Sequence, residues 1–133
     1  MKIMLTVLLL LPALASATDG AWSQRVPGVT LSVGRQEYAG RWLTAPSSMP
    51  LTAAITHISW RITPLSNAGE KLQIKLCQEA RCVPLNTLSG QMKGRSFFSP
   101  RGRFRMVYSV ARPGRIAPPL TVVNLELTVN YRF

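Results

Sequence analysis

The stretch KLQIKLCQEARCVPL, residues 71–85, decides the fold class. Its first half alternates apolar with polar side chains: Leu72, Ile74 and Leu76 against Lys71, Gln73 and Lys75. A period of two residues is typical of a β-strand with one buried face. Cys77 and Cys82 bracket a short turn, and Val83 and Leu85 resume the apolar face. The stretch predicts two antiparallel strands, with both cysteines on the polar, outer face.

The same alternation recurs in AAITHISWRIT (53–63), RFRMVYSV (103–110) and TVVNLELTVNYRF (121–133), and no segment shows a sustained helical period. Turn residues lie between these runs. We expect a hairpin connection at 64–70, turns at 99–102 and 112–115, and a loop at 44–50. Short alternating strands with frequent turns predict an all-β, antiparallel β-sandwich of one domain. In the final run the expected apolar face comprises Val123, Leu125, Leu127, Val129, Tyr131 and Phe133.

Residues 1–17, MKIMLTVLLLLPALASA, have the three parts of a secretory signal peptide. Lys2 supplies a positive charge, residues 3–11 form an apolar run, and the final ASA is a small-residue cleavage signature. The apolar run is shorter than the about 20 residues that span a bilayer, and no later segment is apolar for long enough. We expect cleavage after Ala17 and a mature domain, residues 18–133, that is not transmembrane.

An exported chain makes the cysteine pair a disulfide. Oxidising compartments favour disulfides, and Cys77 and Cys82 are the only cysteines. A C-x-x-C redox motif has two intervening residues, whereas this pair has four. A structural zinc site needs four ligands, and His57 is the only histidine that could add to the two cysteines. The pair is therefore predicted to clip the hairpin, and no metal is expected.

The charge is strongly positive: 16 Lys and Arg stand against 5 Asp and Glu, for a formal net charge of +11. No acidic residue lies between Glu79 and Glu126. A field of one sign favours anionic partners. Outside the cytoplasm these are an acidic protein surface or an anionic cell-envelope polymer or lipid, and not nucleic acid. A solvated face without a partner is the alternative. The candidate basic partner-binding patch comprises Arg95, Arg101, Arg103, Arg105, Arg112 and Arg115.

Residue types suited to catalysis are sparse. His57 falls on the polar face of a predicted strand, and the carboxylates are scattered along the chain. Neither a nucleophile motif, nor a zinc-protease motif, nor a phosphate-binding glycine loop is present. The sequence therefore predicts a non-enzymatic protein without a cofactor.

Three tryptophans separate into two groups. Trp60 belongs to an apolar strand face and is expected in the core. Trp22 and Trp42 are candidate exposed anchors, because tryptophan is enriched at binding hot spots. Packing at a sheet edge is the alternative for both residues.

Several short segments, taken in order, resemble the FlhE family of flagellar proteins. GVTL is interpreted as the start of the first strand, and LCQEARCV carries the cysteine pair. The segments are GAW (20–22), GVTL (28–31), WR (60–61), LCQEARCV (76–83), GRIAPPLTV (114–122) and VNYR (129–132).

The resemblance implies a β-sandwich, a disulfide between Cys77 and Cys82, and a periplasmic location. It also implies an accessory or chaperone-like role in flagellum biogenesis. The implied partner is a basal-body, rod or export-apparatus protein, and the implied task is to limit proton leakage or misassembly. The alternative is a periplasmic binding module for an anionic glycan or lipid, such as peptidoglycan or lipopolysaccharide.

Overall fold

The structure, a computed structural model, describes residues 19–65, 72–94 and 97–133. The expected signal peptide, residues 1–17, lies outside this part. Ten β-strands make up the regular secondary structure of the described residues. They are β1 (Asp19–Pro27), β2 (Thr30–Val33), β3 (Tyr38–Ala39), β4 (Leu43–Thr44), β5 (Ala54–Pro64), β6 (Leu72–Gln78), β7 (Arg81–Leu85), β8 (Ser89–Lys93), β9 (Arg103–Val110) and β10 (Arg115–Arg132).

The strands form two antiparallel sheets around one core. The first sheet has the order β1-β10-β5-β8, and β2 pairs with the beginning of β10. The second sheet has the order β3-β9-β6-β7, and β4 also pairs with β9. Side chains from both inner faces make up the core, as in other sandwiches. The predicted all-β sandwich is confirmed.

The predicted hairpin at residues 71–85 is formed by β6 and β7. Its register pairs Cys77 with Cys82 and Gln78 with Arg81, which leaves Glu79 and Ala80 as the turn. Glu79 has φ +53°, in the left-handed region that a tight turn requires. The predicted strand pair and its turn are confirmed.

Alternating burial follows the prediction in most strands. On β5, Ile58, Trp60 and Ile62 are buried, and the inward side chains of β9 are buried in the same way. On β10 the prediction is wrong at two positions. Val122 is buried and Val123 is 41% exposed, because a bulge between Val122 and Asn124 inverts the faces there. Phe133 is also 45% exposed, since it follows the end of the strand.

Two further expectations are corrected. The first strand does not begin at Gly28: β1 precedes it and pairs with β10 along its whole length. The 64–70 segment is not a hairpin connection, because β5 and β6 belong to different sheets. Residues 66–70 themselves lie outside the described part of the chain. The loop at 44–50 is confirmed apart from Thr44, which ends β4.

Candidate functional site

The disulfide lies on the outer face of the second sheet. Cys77 and Cys82 are directly opposite each other on β6 and β7, with their Cα atoms 4.1 Å apart and their sulfurs bonded. Cys77 is 2% exposed, whereas Cys82 is exposed. The bridge is therefore covered on its β6 side and open on its β7 side, and the predicted clip is confirmed.

Trp42 lies beside two arginines on this second sheet. It precedes Leu43 of β4, which pairs with β9. Arg103 and Arg105 project outward from β9 because the alternate residues Phe104 and Met106 are fully buried. The guanidinium carbon of Arg103 lies 4.0 Å from the centre of the indole, and that of Arg105 lies 4.4 Å away. Both distances are within the range of cation–π attraction.

We call Trp42, Arg103 and Arg105 the arginine–tryptophan cluster. Arg105 joins this cluster to the disulfide, because its cross-strand partner on β6 is Cys77. A row of side chains therefore crosses the second sheet from Trp42 through Arg105 to the bonded cysteines. The hairpin clip and the cations belong to one surface.

The acidic side chains of the described residues are all ion-paired. Glu79 lies 3.5 Å from Arg103, and both side chains are at least half exposed. Exposed pairs of this kind contribute about 0–1 kcal/mol. Arg105 has no carboxylate partner among the described residues, and its buried Nε finds no hydrogen-bond acceptor there. The other pairs are Arg25–Glu126, Lys75–Glu37 and Arg132–Asp19.

The predicted arginine patch divides into two groups. Arg103 and Arg105 lie at the first end of β9, and Arg101 lies in the turn just before that strand. Arg112 and Arg115 follow its last residue, so that roughly 20 Å of strand separates them from Arg103. The Arg112 guanidinium donates to the Arg115 carbonyl oxygen at 3.4 Å.

Arg95 lies outside the described residues. The structure therefore brings together two of the six predicted arginines with one of the two predicted anchors.

The expectation of an exposed anchor at Trp22 is corrected. This side chain is 6% exposed and lies on the inner face of β1, with its ring centre 6.2 Å from that of Phe104. Its indole Nε1 has no hydrogen-bond acceptor among the described residues. The parity of β1 accounts for the burial, because Val26 points to the same side. Trp22 is a core residue.

The outer face of the first sheet is polar. His57 is half-buried there, opposite Asn130 on β10 and Lys93 on β8. A shallow pocket of about 430 Å³ includes His57, Asp19 and Arg132 among its lining residues, and Asp19 is already paired with Arg132. Within the described ranges there is no group of three or more metal-ligating side chains.

Sequence reasoning missed a groove at the far end of the second sheet. It has a volume of about 790 Å³ and runs along parts of β6, β7 and β9. The Lys75–Glu37 ion pair, at 3.1 Å, belongs to its lining. The approach of Glu79 to Arg103 was also not predicted from the sequence. Neither feature has a local signal, because each depends on loops that pack against distant strands.

No helix capable of crossing a lipid bilayer occurs among residues 19–65, 72–94 and 97–133.

Comparison with known proteins identifies the family of this chain. A family model described as flagellar protein FlhE matches residues 28–132. Flagellar protein FlhE of Yersinia enterocolitica is 36% identical over 124 residues, which cover 92% of this chain and 88% of that protein. Flagellar protein FlhE of Escherichia coli (strain K12) is 29% identical over 132 residues, which cover 99% of this chain and 100% of that protein.

A solved structure described as "Crystal Structure of FLHE" is similar with a TM-score of 0.77 and 31% sequence identity. The similarity covers 88% of this chain and 100% of that one. The matched residues include the clipped hairpin and the arginine–tryptophan cluster. As the resemblance of its short segments predicted, the chain belongs to the FlhE family of flagellar proteins.

Proposed function

We propose that the protein is an exported, non-enzymatic accessory protein of flagellum biogenesis. It acts in the periplasm, where it binds a rod, basal-body or export-apparatus component and limits proton leakage or misassembly. The observation that carries the proposal is the family match over residues 28–132, which spans nearly the whole sandwich.

Two features support action in the periplasm. Residues 1–17 have the composition of a cleaved signal. Both cysteines are joined in one disulfide, and disulfides persist in oxidising compartments. A clip on an exposed hairpin would be reduced in the cytoplasm, so the bond and the leader support the same location.

The geometry supports binding as the mode of action. The described residues form a sandwich with a hydrophobic core, a polar outer face on the first sheet, and a cationic cluster on the second. Such a body can cover a partner surface without changing it chemically. Covering an opening or an assembly surface of the flagellar base is one way to limit leakage or premature assembly.

The test is deletion and complementation in the flagellated source cell. Loss of the protein is expected to impair filament assembly or swimming, or to raise proton permeability measured as cytoplasmic pH during an acid shift. The full chain should restore the wild-type values. A matched chain without residues 2–17 should be made but should not restore them, because it stays in the cytoplasm. Normal assembly, swimming and permeability in the deletion strain would contradict the proposal.

A second candidate is a binding module for an anionic cell-envelope polymer or lipid. The observation that favours it is the surplus of cations, since the described carboxylates are already paired. Co-sedimentation with purified sacculi or with phosphatidylglycerol vesicles separates the two candidates. Saturable, salt-sensitive binding to sacculi or to vesicles, together with a normal flagellar phenotype on deletion, would favour this second candidate.

A further inference from the structure

We propose that the arginine–tryptophan cluster is a docking surface for an acidic protein segment that presents carboxylates at alternate positions of an extended strand. This inference deepens the proposed function, on which it rests for a protein partner, by naming the surface and the chemistry of that partner.

The first step is the unsatisfied charge. The described carboxylates pair with Arg25, Lys75, Arg103 and Arg132, and none is left for Arg105. Arg105 is half-buried, so that water screens it less than a fully exposed cation. A half-buried cation without a counter-charge is stabilised by an anion that arrives from outside the molecule.

The second step is orientation. Cation–π contact with Trp42 uses no N–H donor of either arginine. The Nε of Arg105 is buried and that of Arg103 faces Glu79, so the Nη groups of both guanidiniums are the donors for an incoming anion. Two such N–H groups match the two oxygens of a carboxylate. Because the indole already restricts both arginine side chains, less conformational entropy is lost when a carboxylate binds.

The third step is the carboxylate that the protein itself places there. Glu79 lies 3.5 Å from the Nε of Arg103 and is 70% exposed. Its presence shows that a carboxylate reaches this guanidinium on the outer face. Since an exposed ion pair is weak, an incoming acidic segment can displace Glu79. Glu79 therefore acts as an internal competitor for one of the two cations.

The fourth step is spacing, which favours a polypeptide. Arg103 and Arg105 are two residues apart on one face of β9, which places their Cα atoms about 6.6 Å apart. An extended segment with acidic residues at alternate positions has the same repeat. A lipid surface has no fixed repeat along a line, so it does not require the spacing of these two residues.

The test measures the affinity of the exported, disulfide-bonded protein for two labelled decapeptides by fluorescence anisotropy. One peptide alternates glutamate and serine, and its isomer places five glutamates at positions 1, 2, 5, 6 and 9, so that no two of them are two residues apart. We expect the alternating peptide to bind about threefold more tightly, because its carboxylates match the repeat of the two arginines. Equal affinity for the two isomers would contradict the proposed match between the carboxylate repeat and the spacing of the two arginines.

Variants locate the surface, and the two charge changes each have a matched control of equal charge on the opposite sheet. Arg103→Gln with Arg105→Gln should weaken binding about tenfold, whereas Arg25→Gln with Arg61→Gln should change it less than twofold. Glu79→Gln should tighten binding about threefold because it releases Arg103, whereas Glu126→Gln should not. Trp42→Ala should weaken binding about fivefold without any change in charge, and Trp42→Phe should weaken it less.

Equal effects of the variants and their controls would overturn the inference, since net charge alone would then account for binding. Phosphatidylglycerol vesicles that bind through the cluster while neither peptide binds would also overturn it. Glu79→Gln leaves the core untouched, so the test does not depend on the folding of a Trp42 variant. If variants of the cluster still bound the peptides and still restored flagellar function, the proposed docking surface would be contradicted. The proposed function itself would remain supported.

Discussion

Arg105 lies directly across from Cys77 on neighbouring strands, β9 and β6, on the outer face of the second sheet. One row therefore contains the disulfide, the indole of Trp42, and an arginine that has no carboxylate partner among the described residues. The clip holds the hairpin whose turn carries Glu79, and Glu79 in turn approaches Arg103. Hairpin stability and the position of the cationic cluster are therefore linked through these contacts.

Removal of the disulfide is expected to lower stability without loss of the fold. The loop that the bond closes is short, because only four residues separate Cys77 from Cys82. Chain entropy then gives a loss of about 2 kcal/mol in the free energy of unfolding. Urea unfolding of Cys77→Ser with Cys82→Ser, compared with the oxidised protein, measures this loss. An unchanged midpoint would show that the hairpin does not need its clip.

The tryptophans are expected to differ in their contribution to stability. Trp22→Ala removes a buried ring and should cost about 3–5 kcal/mol. Trp42→Ala removes a half-buried ring and its contacts with two exposed or half-exposed cations, and should cost about 1 kcal/mol. Urea unfolding of both variants checks the difference. Similar losses would contradict the burial of Trp22 inside the sandwich.

Gln78 is expected to hold the turn before β9 in place. Its carboxamide donates to the Ser99 carbonyl oxygen and accepts from the Ser99 N–H, each at 2.7 Å, and the side chain is 8% exposed. Gln78→Ala should therefore cost about 2 kcal/mol, because the part-buried N–H and carbonyl oxygen of Ser99 both lose their partner. Gln73→Ala, on the exposed outer face of β6, is the matched control and should cost less than about 0.5 kcal/mol. Thermal unfolding of both variants compares them.

Alkaline pH is expected to destabilise the protein through Tyr108. Burial raises the pKa of Tyr108 above its ordinary value near 10. An unfolded chain releases this proton from about pH 10 upward while the folded chain retains it, so stability falls as pH rises beyond 10, by up to about 1.4 kcal/mol per pH unit. Below pH 9 this group contributes no pH dependence.

Tyr108→Phe should remove this part of the alkaline slope in urea unfolding between pH 9 and pH 11.5. Tyr38→Phe is the comparison, because hydrogen bonding with the Ser32 hydroxyl lowers the pKa of Tyr38. An identical slope in wild type and Tyr108→Phe would contradict the role of the buried phenol.

Much of the sandwich can be predicted because each buried strand face repeats every two residues. The alternation of β5, β6 and β9, and the strand pair around the cysteines, are local patterns. The bulge at Val122 has no such local pattern. The sequence alone does not decide which of the two adjacent valines points inward, because that depends on how the strand pairs with β5. For the same reason the sequence does not show that β5 and β6 belong to different sheets.

The cluster can be predicted only in part. Parity places Arg103 and Arg105 together on the polar face of one strand. Their contact with Trp42 depends on the pairing of β4 with β9, two segments that are far apart in the chain. The sequence-based prediction also placed Arg112 and Arg115 in one patch with Arg103 and Arg105, although the length of β9 separates the two pairs. Proximity in sequence is a poor guide to proximity on a sheet.

Site-specific photo-cross-linking in living cells tests the central claim most directly. A photoreactive residue at Thr44, which is exposed and pairs with Arg103, is compared with one at Ala21, which is exposed on β1 of the first sheet. Binding of a flagellar component through the cluster predicts a covalent adduct with a rod, basal-body or export-apparatus protein from Thr44 and not from Ala21. Adducts from both positions at equal yield, or no flagellar protein among the adducts, would contradict it.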